Sequence, residues 1–345
     1  MTCGWLVRND FDWDGKSDKY TSERPKDVFR TRKGNSAEIN LLLCALLQEA
    51  GFNASPVLLS TRSHGKVHPK YPFSHYFNEV VCFVEFDGNS TLVDATESML
   101  PFNRLPLRCL NESGLIVEED GERWVSLETS AQALIHHFIE IDPDPAAGQA
   151  SVIAVHRLTG YAGYAARKSI YTSSERLLKS NLAGEVISLE EVNFEHVEEP
   201  NQPYQVRYRG AVPIEVYGDK LLVNPFLDLV ENETPLKTVD RKYPVDMIYR
   251  QNRQLVSKLH IPEGYKILEM PEELHIDDPL VTISMRFNRQ KDALEATGTV
   301  NFKKAIYDAE DYQNLRKHYL QIVTAFNQPV VFGKIQGNLT SEIED

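Results

Sequence analysis

The chain has 345 residues, 37 basic against 50 acidic, for a formal net charge of −13 at pH 7. That balance speaks against a nucleic-acid grip, which needs a basic face to displace counterions from phosphates, and against a polybasic membrane anchor. With 42% hydrophobic and 25% charged residues the composition is that of a globular protein of about two domains, too poor in Gly and Pro for a disordered or collagen-like chain.

The opening Met1-Thr2-Cys3-Gly4-Trp5-Leu6-Val7-Arg8 does not have the basic start and apolar run of a signal peptide. The first strong element is a helix from about Ser36 to Ala50. There Ile39, Leu42, Leu43, Leu46, Leu47 and Ala50 recur at 3-4 spacing and make one apolar stripe. Asn35 three residues before Glu38 has the spacing of a capping box, and Gly51 is a suitable stop. The stripe from Ile39 to Leu47 is far too short to span a bilayer. A strand over 56–61, a basic loop over 62–70 and two strands over 78–86 and 90–95 follow. Asp87-Gly88 between the last two is a hairpin signal. A two-residue turn there would set Glu79 opposite Thr96 and place Asp94 on the face of Glu79.

Beyond about Thr129 short alternating stretches, such as 205–208, 220–223, 280–286 and 294–302, point to an antiparallel β-rich module, expected to be a sandwich. One late helix is expected near 309–326, with Asp308 as its cap and Pro329 beyond its end. The residues 142–148 form the most turn-like break in this half. No repeat, GxGxxG, P-loop or HExxH string is present.

Lys33-Gly34-Asn35-Ser36-Ala37-Glu38, opening the apolar helix, resembles the transglutaminase-like superfamily, whose papain-like Cys-His-Asp fold serves crosslinkers, proteases and peptide N-glycanases. In that family a Gly-rich turn places a nucleophilic Cys at the start of such a helix; a following strand carries a His and the next strand an Asp. The chemistry is coherent, because unpaired N–H groups at a helix start stabilise a thiolate, an imidazole acts as base, and a carboxylate fixes its tautomer. Tyr71-Pro72-Phe73, Phe77-Asn78-Glu79-Val80-Val81, Leu92-Val93-Asp94-Ala95-Thr96 and Leu100-Pro101-Phe102 resemble a subgroup in large envelope-associated proteins of Bacteroidetes-type bacteria. Tyr243-Pro244-Val245-Asp246 and Ile261-Pro262-Glu263-Gly264-Tyr265 fit the module that follows the core in that subgroup. The resemblance covers nearly the whole chain but lacks the subgroup's N-terminal β module, so the chain reads as the C-terminal part of a longer design.

Residue by residue the pattern is broken. Ser36 stands at the nucleophile position, Glu79 at the His position, and only Asp94 matches. A helix dipole worth about 1 kcal/mol cannot ionise a serine hydroxyl. A carboxylate of ordinary pKa, about 4.3, is a poor base beside a second carboxylate. His75, four residues along an extended strand, would lie roughly 13 Å from Glu79, too far to replace the imidazole. Without the resemblance, Ser36 is a helix-start residue and Glu79 a strand carboxylate within reach of Arg62, Lys66 and Lys70.

The remaining candidates have plainer readings. Cys3, Cys44, Cys82 and Cys109 lack metal or CxxC spacing and read as buried thiols. His136 and His137, on a strand over 135–141, point to opposite faces and cannot share a metal. The acidic run 190–199 reads as a solvated face. Tyr161, Tyr164 and Tyr171 beside Arg167, Lys168 and Arg176 read as tyrosine-rich strand packing, with a ligand-contact surface as the alternative.

The resemblance therefore implies an α+β fold: a transglutaminase-like core of helix plus antiparallel sheet over residues 1–126, then a β-rich domain over 127–345. It implies a catalytically degenerate protein without cofactor or metal. Such a protein would be a binding or scaffolding module for a peptide, peptidoglycan stem or protein partner in the periplasm or cell envelope. Two alternatives stay open: an active hydrolase or acyl-transferase using Ser36 with Glu79 and Asp94, and a purely structural spacer.

Overall fold

The computed structural model describes residues 7–118, 121–129, 131–172 and 188–335. The chain divides into two units, Met1–Ala131 with Glu198–Asn201, and Gln132–Val197 with Gln202–Asp345.

Unit 1 opens with a two-residue parallel ladder between β1 (Asp12–Trp13) and β2 (Lys33–Gly34), with helix α1 (Pro25–Thr31) between them in sequence. Helix α2 (Ser36–Glu49) follows at once. Its capping box is complete, with the Asn35 side chain accepting from the Glu38 N–H and the Glu38 carboxylate accepting from the Asn35 N–H. Each cap of this kind contributes about 1 kcal/mol.

A five-stranded antiparallel sheet forms the other layer of this unit. Its strands are β3 (Asn53–Leu59), β4 (Glu79–Phe86), β5 (Asn89–Val93), β6 (Ser113–Ile116) and β7 (Arg123–Ser126), in the order β5-β4-β3-β6-β7. The hairpin turns on Asp87-Gly88, with Phe86 opposite Asn89 and Cys82 opposite Val93. Ile39, Leu43, Cys44 and Leu47 of α2 pack on Ala54, Cys82, Val84 and Val93. Burying each large side chain there is worth about 1.5–3 kcal/mol, and this face fixes the helix start over the ends of β4 and β5.

Unit 2 is built on an eight-stranded sheet. In chain order its strands are β8 (Gln132–Asp144), β9 (Gln149–Leu158), β10 (Ser188–Glu195) and β11 (Tyr204–Pro213). Counting β12 (Glu215–Tyr217), β13 (Lys220–Val223) and β14 (Val245–Asp246), which lie elsewhere, the sheet resumes with β15 (Arg250–His260). After β16 (Tyr265–Glu269) come β17 (Leu274–Asp277), β18 (Val281–Arg289) and β19 (Ala293–Phe302). The order is β10-β11-β9-β8-β15-β19-β18-β17, antiparallel except where Gln132 of β8 lies beside Arg250 of β15 in a parallel ladder. A smaller sheet, β12-β13-β21-β16, includes β21 (Val330–Lys334), and β14 pairs with β20 (Ile306–Tyr307).

Period-two alternation decides what covers the large sheet. Ile139, Ile141, Val152, Ala154 and Tyr208 meet Leu221, Val223, Val330 and Phe332 of the small sheet. Leu255, Ile283, Met285, Ala296 and Val300 meet Leu315, Tyr319, Ile322 and Phe326 of helix α4 (Tyr312–Phe326). The second layer is thus half sheet and half helix, where a sandwich of two sheets was expected. Gly298 makes the helical half possible, since a Cβ there would sit 2.5 Å from the Phe326 ring.

The turn-like residues 142–148 close the β8–β9 hairpin inside unit 2. Two expectations need correction. Asp308 makes no side-chain cap; a 3-10 turn, Ala309–Asp311, leads into α4 instead. Tyr161, Tyr164 and Arg167 lie on a helix, α3 (Gly160–Thr172), where the i, i+3 spacing of the two buried tyrosines fits a helical face better than a strand. The Tyr171 side chain, Arg176 and Cys3 lie outside the described residues. Among the described residues no helix is long and apolar enough to cross a membrane.

Candidate functional site

The start of α2 is closed from outside by its own lead-in. The Ser36 N–H donates to the Lys16 carbonyl at 3.1 Å. The Ser36 hydroxyl accepts from the Asp18 N–H at 3.0 Å and donates to the Asp18 carbonyl at 3.1 Å. Glu38 accepts from the Ser22 and Glu23 N–H groups and from the Ser22 hydroxyl. Burial alone would raise the Glu38 carboxyl, but the N–H donors of Asn35, Glu23 and Ser22 with the Ser22 hydroxyl outweigh it and hold it below the ordinary value. Ser36 is fully buried, and of the helix-start N–H groups that could stabilise a thiolate or an oxyanion, that of Ser36 is spent on Lys16 and that of Glu38 on the Asn35 side chain.

Glu79 and Asp94 lie in one buried polar cluster. Asn40, one turn along α2 from Ser36, donates to the Asp94 carboxylate and to the Val80 carbonyl, both at 2.8 Å, and accepts from the Ala95 N–H. The other Asp94 oxygen accepts from the Thr96 N–H and hydroxyl. Arg108, on the 3-10 turn Leu107–Cys109, donates to Thr96 Oγ1 at 2.7 Å and to Glu79 Oε2 at 3.2 Å, and reaches Glu97 at 3.5 Å. Its guanidinium lies 4.0 Å from the centroid of the Trp13 ring, and Trp13 Nε1 donates to the same Lys16 carbonyl that Ser36 uses. Positions 36, 79 and 94 are therefore brought around one network rather than scattered.

Burial pushes the fully enclosed Glu79 carboxyl above its ordinary value; Arg108 and the Ser17 side chain pull it down, and the Asp94 charge adds to the rise. Glu79 pairs with Arg108, not with the basic loop residues Arg62, Lys66 and Lys70. The His75 ring lies against Phe73 and Tyr76 on the surface. Cys44 and Cys82 are buried free thiols that face each other between α2 and β4, and their mutual hydrogen bond followed by burial holds the Cys44 thiol protonated. Cys109, also buried, is pushed up by desolvation and the nearby Glu79 charge. As arranged, the Ser36 proton is given to a peptide carbonyl, which is no base at neutral pH.

Asn40, Arg108 and Trp13 belong to no sequence motif. The signals they leave are small: an Asn four residues after Ser36 inside an apolar stripe, and a lone Arg within Leu105-Pro106-Leu107-Arg108-Cys109-Leu110.

In unit 2, His137 meets His156 with Nδ1 atoms 2.6 Å apart, and His156 Nε2 is 3.3 Å from the Tyr208 hydroxyl. His136 is the next residue on β8 and points to the other face. Among the described residues no group of three or more His, Cys, Asp or Glu is placed to hold a metal ion. Glu190 and Glu191 of the acidic run lie exposed on edge strand β10, where charge discourages pairing with another chain.

Residues 216–332, from β12 into β21, match the family model of a domain of unknown function (DUF3858). No curated protein matches the chain. A crystal structure from Parabacteroides distasonis, described as that of a "putative protease", is similar with a TM-score of 0.51 at 10% identity, over 95% of this chain and 50% of that one. The chain thus spans half the length of that protein, and at this identity the likeness shows the fold alone. Among the described residues the chain is β-rich with few helices.

Proposed function

We propose that unit 1 is a transglutaminase-like core of the envelope-associated subgroup whose Cys-His-Asp chemistry has been lost and whose site now serves as structure. On this reading the protein is a binding or scaffolding module for a peptide or protein partner in the cell envelope. The observation that carries it is the Ser36 hydroxyl, wholly buried and hydrogen-bonded on both sides to the main chain of Asp18. A nucleophile must face an open site with a base in reach; this one donates to a carbonyl under a closed lead-in. The Glu79–Arg108–Thr96–Asp94–Asn40 network supports the same reading, because its hydrogen bonds tie α2, β4 and the 3-10 turn together, with Glu79 Oε1 its one side-chain atom buried without a partner.

The test compares wild type with Ser36→Ala for hydrolysis of amide and ester reporters, where both are expected to stay at background. Turnover in wild type that Ser36→Ala abolishes would overturn the reading. A second arm places Cys at this position, Ser36→Cys, alone and with Glu79→His. With residues 16–18 seated over it, the Ser36→Cys thiol is expected to label slowly with iodoacetamide in the native protein and fast in denaturant. Fast native labelling would mean an open site.

A further inference from the structure

Unit 1 carries a second surface that the buried cluster does not use. Between β3 and β4 the chain runs through residues 62–76, which include Arg62, Lys66, Lys70 and three histidines and contain no acidic residue, in a chain of net charge −13. The same stretch displays Tyr71 and Phe73, 61% and 56% exposed, and Tyr20 of the lead-in is 65% exposed. Phe73 and His75 stack with ring centroids 5.8 Å apart and planes inclined by 11°, and Tyr76 lies 4.3 Å from His75 and 6.0 Å from Phe73. His68 lies 5.5 Å from Tyr71. Tyr20 joins the loop through its hydroxyl, 3.2 Å from Ser74 Oγ, and Lys19 lies over the Tyr20 ring while donating to the Ser74 carbonyl.

The loop is not slack. Its turns use the N–H groups of Tyr71, Phe73, Tyr76 and Phe77, Pro69 and Pro72 stiffen it, and His64 Nε2 is 3.0 Å from the His75 carbonyl. Large rings held outward on a braced loop forgo burial worth about 1.5–3 kcal/mol each, and such surfaces mark interaction sites. With these N–H groups committed, the segment does not offer the free strand edge by which an extended peptide is added to a sheet. Ring faces take the apolar CH faces of sugar rings, and the cations that interleave them take carboxylates.

We propose that this ledge binds an acidic polysaccharide, with sugar rings laid on Tyr20, Tyr71 and Phe73 and carboxylates turned to Lys19 and Lys70. The proposal stands whether or not the buried cluster descends from a catalytic site. The experiment is affinity electrophoresis and calorimetry of the full chain with polygalacturonate, a neutral galactan and poly-L-glutamate as probes. Polygalacturonate is expected to retard the wild type and the galactan far less. The double substitution Tyr71→Ala with Phe73→Ala should weaken binding roughly tenfold, and Lys70→Glu roughly threefold, with circular dichroism unchanged. Should the double variant not fold, Lys70→Glu on its exposed side chain carries the test. Wild type that ignores polygalacturonate, or variants that bind it as tightly, would overturn the proposal. So would poly-L-glutamate bound equally well and lost on the same substitutions, since that outcome describes a site for acidic peptides.

Discussion

Each unit holds a glutamate against an arginine, and the two pairs behave oppositely. In unit 1, Glu79 is fully enclosed and meets Arg108 through one hydrogen bond at 3.2 Å. In unit 2, Glu231 keeps 37% of its side chain exposed and meets Arg253 through two, at 3.0 and 3.2 Å. Burial raises both carboxyls. For Glu79 it wins; for Glu231 the charge and hydrogen bonds of Arg253 win, and the group is held below its ordinary value. The difference teaches that the same two residue types make an ion pair at a wet margin and a strained one in a dry interior, where the attraction must first offset the loss of water. Unit 1 tolerates the dry pair because Arg108 is also held by Thr96, Glu97 and the Trp13 ring.

Deleting the cation breaks the comparison most sharply. Arg108→Ala leaves a buried carboxylate without its partner and is expected to destabilise unit 1 by about 3–5 kcal/mol. Arg253→Ala exposes its partner to water and should cost no more than about 1 kcal/mol. Replacing both members, Arg108→Met with Glu79→Leu, should recover most of the loss. All three tryptophans, Trp5, Trp13 and Trp124, fall within the stretch Met1–Ala131, so urea unfolding followed by tryptophan emission reads the cost of Arg108→Ala in unit 1, and the far-UV circular dichroism transition of unit 2 reads that of Arg253→Ala. Equal costs for Arg108→Ala and Arg253→Ala would mean that burial is not what separates the pairs.

What was legible in the sequence was local. The Asn35–Glu38 spacing predicts a capping box that is present, and Asp87-Gly88 predicts a hairpin whose register puts Phe86 opposite Asn89. Neither needs information from far along the chain. Helix α3 was not legible because Gly160, Gly163 and its tyrosines are weak helix formers. Gly163 is there for space, with a Cβ meeting the Leu158 carbonyl at 2.7 Å. The parallel pairing of β8 with β15 and the arrival of Arg108 beside Glu79 join segments that carry no mutual signal. The closure of Ser36 by residues 16–18 is likewise a property of the folded lead-in, invisible in the motif that Ser36 belongs to.

A second substitution asks whether unit 2 depends on apolar fit where unit 1 depends on charge. Gly298→Ala on β19 drives a methyl to 2.5 Å from Phe326 and 3.3 Å from Leu255. Overpacking of this kind costs about 1–3 kcal/mol. The far-UV circular dichroism transition of unit 2 should move to lower denaturant while the tryptophan transition stays in place. A shift of both by the same amount would show that the units unfold as one.

The smallest effect is the most diagnostic, because it turns on sign. Glu79 has a raised folded value, so the folded state holds its proton where the unfolded chain, near pH 4.5, has released it. Wild-type stability should therefore fall relative to Glu79→Gln as pH rises from 4.5, by no more than about 1.4 kcal/mol per pH unit and only until the folded value is passed. Glu231 has a lowered folded value, so its contribution is complete above pH 4.5 and is lost as pH falls from there through the lower folded value. Glu231→Gln should then cost most at neutral pH and least in acid, the reverse of Glu79→Gln. His137 adds a third slope, because burial and the nearby His156, Arg253 and His136 hold it neutral. The unfolded chain gains its proton below about pH 6.5, which erodes the stability of unit 2 on acidification. Denaturant midpoints for wild type and both Glu→Gln variants between pH 4 and 8 separate these terms. Parallel curves for the two variants would mean that Glu79 is ionised as easily as Glu231, and that its enclosure by Arg108, Ser17 and Asp94 does not set its charge.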